Sequence, residues 1–415
     1  MPASPLSTTP TPAHQPVTPP PANAARRAFM LASLGVLLAA CERAAPPADG
    51  SPDGKPPAPV VVYCSADAPI AQPVLDAFEK KTGIPVKPVF DTEATKVTGL
   101  VNRIIAEQEA GRFSADVWWS GEPFGTIRLA NARALAEYHS GTAEHDFAEI
   151  LGEGWPRALR ASDGTWYGFA RRVRVLIYNT RFVTEEDVPR DLSYLADPRF
   201  KGRVALARPE FGTTRGHMAA LRTLGRDVFR DWLEDLARND VRLYDGNASV
   251  ARAVGSGEMW LGLTDSDDAY IAKANGWPVG FIAVSNVPVR SWHRRALSSA
   301  GTRLEAFPEG SMQVPSTVAM LRNAPNPAGA ARLIDFLLSR QCEAMLASSE
   351  SRNLPTPRGL ETTPAAALER TLAADSAHDD PLARQRWALS ELDLERAAAV
   401  VDDAMDICTK VLKGR

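Results

Sequence analysis

Residues 264–268 read Thr264-Asp265-Ser266-Asp267-Asp268, which puts three carboxylates in one short turn of chain. Carboxylates that close repel one another unless a cation or strong hydrogen-bond donors neutralise them. An oxygen-only set of this kind suits a hard metal ion. Acids also favour the first turn of a helix, so a solvated helix start is the plainer alternative. Three other loops carry comparable potential. In Cys64-Ser65-Ala66-Asp67, the aspartate reads equally as a ligand and as a helix cap. In Ser120-Gly121-Glu122, the glutamate reads as a metal ligand or as a surface carboxylate at a helix start. Gly212-Thr213-Thr214-Arg215-Gly216-His217 offers hydroxyls and free N–H groups to an anion. His217 reads as a packed histidine before a ligand. Asn247 opens a further helix after Gly246. Arg171, Arg172 and Arg174 supply the opposite charge, and their fork geometry suits phosphate oxygens or ion pairs with the acids. No nucleophile–base motif, phosphate-binding glycine loop, HExxH or dinucleotide fingerprint occurs, so the residues point to binding and not to an enzyme.

These loops need a scaffold, and the apolar pattern supplies one. Pro59 to Tyr63 reads as a strand. Ile70, Val74 and Phe78 recur at helical spacing up to the stop at Gly83, with Pro73 tolerable only in the first turn. Val86 to Phe90 and Asp116 to Trp119 are further strands, with a helix between them marked by Val97, Leu100, Val101, Ile104 and Ile105. Such alternation implies a parallel sheet with helices on both faces. Trp166 to Asn179 is a long extended stretch. A second α/β unit follows, with strands at Val204–Ala207, Met259–Leu263 and Phe281–Val284. Met312 to Leu321 returns as an extended stretch, and Asn326-Pro327 caps a helix carrying Leu333, Ile334, Leu337 and Leu338. In this organisation each candidate loop follows a strand's carboxyl end, where open α/β sheets bind ligands.

Several segments, in this order and spacing, resemble a known family. They are Val62-Tyr63 with its polar loop, Val74 to Ile84, Ala115 to Ser120, Arg172 to Asn179, the loop around Asn247, and Leu333 to Leu337. The chain resembles the periplasmic solute-binding proteins of ABC importers, in their ferric-iron-binding branch. The resemblance covers roughly residues 59–355. It implies a two-lobed, type II periplasmic-binding-protein fold of class α/β, in which crossing strands join the lobes. Lobe 1 is expected at 59–168 plus about 310–355, lobe 2 at 169–309, and a helical segment packing on both at 356–415. The implied ligand is iron(III) or another hard metal ion, with or without an anion, held by Asp67, Glu122, Arg172, Arg174, Thr213, Thr214, Asn247, Asp265, Ser266, Asp267 and Tyr270. Asp67, Glu122 and Asp267 are the expected metal ligands. The branch places adjacent tyrosines at the acidic loop, whereas this chain has Ser266 and Asp267 there and Tyr270 as the nearby phenol. Its acidic ligand near 122 sits one position earlier, where Gly121 stands here. Other occupants on the same fold are a phosphorylated or phosphonate metabolite, or a polyamine. The implied partners are a permease and an ATPase. A ligand-sensing domain serving a receptor is the alternative of another class.

The beginning of the chain agrees independently. Arg26-Arg27 precede an apolar run from Phe29 to Ala40, and Leu38-Ala39-Ala40-Cys41 resembles a lipobox. Residues 1–41 thus read as a lipoprotein signal with Cys41 acylated, exported by the twin-arginine or the general secretory route, and 42–58 read as a tether. The expected place is the cell envelope or periplasm, membrane-anchored through lipid. Among 415 residues, 47 Lys and Arg nearly balance 50 Asp and Glu, which excludes a nucleic-acid surface. Cys64, Cys342 and Cys408 allow at most one disulfide. A monomer with no catalytic cofactor completes the expectation.

Overall fold

The computed structural model describes residues 57–91, 97–143, 155–156, 159–188, 192–283, 311–356, 389–390 and 394–414. The signal segment with Cys41 and most of the tether lie outside the described residues.

The sheet begins with β1 (Val60–Cys64), flanked in parallel by β2 (Val86–Phe90) and β3 (Val117–Ser120). All of β1 except Val61 is buried, as a central parallel strand covered on both faces requires. Between them run α1 (Ala68–Thr82) and α2 (Thr98–Glu109), and β3 leads into α3 (Pro123–Asn131). Gly83 ends α1 in the left-handed region at φ 69°, donating its N–H to the Glu79 carbonyl. Pro73 lies inside α1, beyond the first turn. The helix continues through it because its buried face, Ala71, Val74, Leu75 and Phe78, outweighs one missing backbone bond.

Two long strands tie the molecule together. The first half of β4 (Tyr167–Asn179) pairs antiparallel with β9 (Ser311–Met320), which also pairs with β3. From Arg174 onward β4 pairs instead with β7 (Leu261–Asp265), and from Val175 also with β8 (Val279–Ala283). Parallel pairs then extend from β7 to β5 (Val204–Ala207) and on to β6 (Arg242–Tyr244). The strand order is β2-β1-β3-β9-β4-β7-β5-β6, a first lobe and a second lobe joined at β4 and β9. The second lobe's helices are α4 (Gly212–Arg222), α5 (Arg226–Arg238), α6 (Asn247–Ser256) and α7 (Ser266–Ala274). After β9 come α8 (Pro327–Leu337) and α9 (Arg340–Ser348) on the first lobe, then α10 (Leu394–Ala398) and α11 (Val401–Val411).

The structure moves two strands, and the one expected at Phe281–Val284 begins at Val279 and ends at Ala283, with Val284 outside the described residues. The expected strand at Met259–Leu263 runs from Leu261 to Asp265, because the Met259 N–H is still bonded to the Ala253 carbonyl and the β5 ladder begins at Leu261. The shift places Asp265 at the strand's end and at the cap position of α7. β6 has no counterpart in the sequence reading, since its three residues include no apolar run.

Apolar clusters cover both faces of each lobe. Val62, Phe78 and Trp119 fill one face of the first lobe, and Trp118, Leu100 and Ile127 fill the other. Leu206, Phe229 and Leu263 fill one face of the second, and Val175, Ala205 and Phe281 the other. Cys64, Cys342 and Cys408 are buried, and no disulfide joins any two of them. The lobes touch where Phe124 of α3 meets Gly216 of α4, whose absent side chain leaves room for the ring. A Cβ on Gly216 would stand 2.1 Å from Phe124 Cε2. Gly216→Val should therefore lower stability by about 1–3 kcal/mol through overpacking. Phe124→Ala in the same chain should recover part of that loss, and thermal unfolding of the two single variants and the double variant measures the coupling.

Candidate functional site

The carboxyl ends of β1, β3, β5, β6 and β7 meet the amino ends of α4 and α6 around a cleft. Ser65, Asp67, Gly121 and Glu122 line it from the first lobe. Arg208, Phe211, Thr213, Thr214, Asp245, Asn247, Asp265 and Asp268 line it from the second, and Arg172 enters from β4.

At its floor is a quartet of charges. Arg174 Nη1 donates to Asp265 Oδ1 at 2.7 Å, and Arg172 Nη1 donates to Asp267 Oδ2 at 3.1 Å. Arg172 Nη1 also stands 3.9 Å from Asp265 Oδ2. The alternation of β4 puts both arginines on one face, and β7 aligns Arg174 opposite Asp265. Asp265 is saturated further, with Oδ2 accepting from Thr213 Oγ1 at 2.6 Å and from Asn247 Nδ2 at 3.0 Å. Burial pulls the Asp265 carboxyl upward, but Arg174, Arg172 and the Thr213 hydroxyl outweigh it and hold it below the ordinary range. Asp267 goes the other way. Burial pushes it up, Arg172 opposes, and the charges of Asp265 and Asp67 add to the rise. Of the two, Asp267 is the one whose neutral form its surroundings favour. Asp265, Asp267 and Asp268 present oxygens that all lie within 4.8 Å of one another.

The first lobe answers with fewer groups. Arg172 Nη2 donates to the Gly121 carbonyl, so this one guanidinium reaches both lobes. Asp67 caps α1 through its backbone carbonyl, which accepts from Ile70 and Ala71, while its side chain makes no cap and lines the cleft. Glu122 is buried, and both its oxygens accept backbone N–H groups of α3, from Phe124 at 2.7 Å and Gly125 at 2.8 Å. That is a helix cap, and it occupies the oxygens a metal would use. Val97, at φ 70°, also lines the cleft, a strained conformation for a β-branched residue.

Among the residues expected from sequence, Asp67, Glu122, Arg172, Thr213, Thr214, Asn247 and Asp265 line the cleft. Arg174, fully buried, and Asp267 stand directly behind them. Ser266 accepts the Val173 N–H at 3.1 Å and braces β4. Tyr270 packs edge-on against Phe281 at 4.9 Å, with the Arg352 guanidinium over its ring, and does not line the cleft. His217 is fully buried. Arg215 turns to Asp402 of α11 at 3.3 Å instead of the cleft. Sequence reasoning missed Arg208 and Asp245, paired at 3.1 Å, and the Gly121 carbonyl. Arg208 follows the last residue of β5, a position legible in the sequence, whereas Asp245 follows β6, which no apolar run marks.

Comparison with known proteins bears on this arrangement. The family described as bacterial extracellular solute-binding protein matches residues 155–376, more than half of the chain. The chain belongs to this family. It is 29% identical over 278 residues to the iron uptake protein A1 of Synechocystis, covering 66% of this chain and 69% of that protein. It is 25% identical over 333 residues to the major ferric iron-binding protein of Neisseria meningitidis serogroup B, covering 79% and 87%. The structure of iron-bound HitA from Pseudomonas aeruginosa superposes with a TM-score of 0.65 at 24% identity, over 86% of this chain and 99% of that one. The solute-binding protein thus has the type II periplasmic-binding-protein fold.

Burial pushes Glu122 up to about 7, against the pull of the Gly125 and Phe124 N–H groups and of Arg215 and Arg172. The folded protein then keeps a proton between about pH 4.5 and 7 that an unfolded chain gives up, so this group's contribution to stability rises as pH falls through that window. Glu122→Gln, which mimics the protonated side chain, should be most favourable relative to the parent above pH 7. Its relative stability should decline toward pH 5, as read by thermal unfolding across that range. A difference that does not vary with pH would contradict the assignment.

Proposed function

We propose that this protein is an extracytoplasmic solute-binding lipoprotein that captures iron(III), or another hard metal ion, together with an anion, and delivers it to the permease and ATPase of an ABC importer. The observation that carries the reading is the charge of the cleft. Six carboxyl groups, on Asp67, Glu122, Asp245, Asp265, Asp267 and Asp268, face three guanidiniums, on Arg172, Arg174 and Arg208. An excess of carboxylates favours a multiply charged cation and opposes a phosphate ester or phosphonate. Arg215, which would strengthen an anion site, is directed to Asp402. A polyamine is poorly served, because Phe211 is the one aromatic side chain among the lining residues. The names of the relatives, iron uptake and ferric iron-binding, support the same cargo.

In this reading the arginines hold the site until cargo arrives. Arg172 and Arg174 neutralise Asp267 and Asp265 in the meantime, so the buried carboxylates never stand uncompensated. Metal bound among Asp267, Asp268 and Asp67 would compete with Arg172 for the Asp267 oxygens. The freed guanidinium, with Thr213, Thr214 and the amino end of α4, then faces the accompanying anion. Glu122 contributes charge and holds α3, and it is not a direct ligand. The protein acts as a monomer by binding and release, without catalysis.

Asp267→Ala and Arg172→Ala should each weaken the uptake of ferric nitrilotriacetate at least about tenfold by calorimetry, a loss typical of one charge-assisted interaction. Unchanged affinity in both variants would refute the site. For the anchor, radiolabelled palmitate should mark the parent protein in cells and fail to mark Cys41→Ser; continued labelling would reject Cys41 as the acylated residue.

A further inference from the structure

β4 is irregular where the lobes join. A regular ladder would carry the pairing of Phe169 with Ser316 on to residues 171 and 314, but the partner of Val314 is Arg172. One extra residue, Ala170, is inserted, and it adopts the left-handed region at φ 44°. A shift of one residue reverses the face that every later side chain presents. Bulges re-aim side chains beside functional sites in this way. Here the residues re-aimed are Arg172 and Arg174.

A bulged residue loses its strand partners, and Ala170 is only 1% exposed, so its backbone needs other partners. Its N–H donates to Glu343 Oε1 of α9 at 3.2 Å, and its carbonyl accepts from Asn353 Nδ2 at 3.5 Å. The same Glu343 oxygen accepts the Thr356 N–H at 3.3 Å. Beside them Arg171 and Leu354 exchange backbone bonds of 2.8 and 2.7 Å. Glu343 is itself 1% exposed. A buried carboxylate thus pins the irregular residue and the segment that runs along it.

We propose that Glu343 is a positioning residue for ligand capture: by accepting the Ala170 N–H it holds the bulge that aims Arg172 and Arg174 at Asp267 and Asp265. The proposal rests on the reading of that quartet as the ligand site, and its test separates the two. Glu343→Gln keeps a carbonyl acceptor for Ala170, Glu343→Leu keeps only the bulk, and Leu337→Ala serves as a core variant in the same apolar cluster whose side chain takes no part in the bulge's hydrogen bonds. Hydrogen exchange of ligand-free protein at residues 169–174 and titration with ferric nitrilotriacetate are measured on each. Glu343→Leu should raise exchange across 169–174 and weaken ferric uptake, each about tenfold, as the loss of one buried hydrogen bond implies. Glu343→Gln should restore both, and Leu337→Ala should lower the melting temperature without changing affinity. Parental exchange in Glu343→Leu, equal damage by Gln and Leu, or an affinity loss no larger than that of Leu337→Ala each overturns the proposal. If the parent takes up no ferric ion, the metal reading fails, and the exchange result alone decides the role of Glu343.

Discussion

Buried charge is the constraint that organises this molecule. Arg174 and Asp265 are nearly inaccessible to water, and Arg172 and Asp267 are little more exposed. Taking such groups out of water costs several kcal/mol each unless partners answer them, and removing one partner from a buried pair costs roughly 3–5 kcal/mol. The fold meets the cost by converging strands on one point. β4 brings the guanidiniums, β7 brings Asp265, and the helix starts bring Thr213 and Asn247. The oxygens of Asp265 are answered by Arg174, Thr213 and Asn247 inside the second lobe, although Arg174 Nε and Nη2 have no hydrogen-bond partner among the described residues. Arg172 extends the network across, to the Gly121 carbonyl.

This asymmetry suits a clamp. Lobes that pivot about crossing strands need a contact that forms on closing and yields on opening. One charge-assisted bond and one aromatic ring against a glycine make such a contact. A more extensive network between the lobes would favour one state too strongly for cargo to shift the balance. The C-terminal helices add a further tie, since α10 packs against both α3 and α4, and Arg222 pairs with Asp403.

Much of this was legible from residue order. Alternating apolar runs and helix caps announced the α/β fold, because burial of a parallel sheet dictates continuous apolar strands. The acidic loop and the arginines announced themselves by requiring compensation, and they do compensate one another. Other features left no trace in the pattern. β6 is three residues of mixed polarity, so nothing marked Asp245 as a strand-end residue. The bulge at Ala170 is invisible because the residue is an ordinary alanine and its conformation is imposed by Glu343, far along the chain. Tyr270 looked like a ligand by proximity in sequence, yet a helix turns its residues through all directions, and position 270 faces Phe281.

The three sulfhydryls have a consequence for where the chain can mature. Each is buried, and none is bonded to another. Burial raises the Cys342 and Cys408 thiols above their ordinary range, so a chain that meets an oxidising compartment offers poor nucleophiles to stray disulfide exchange.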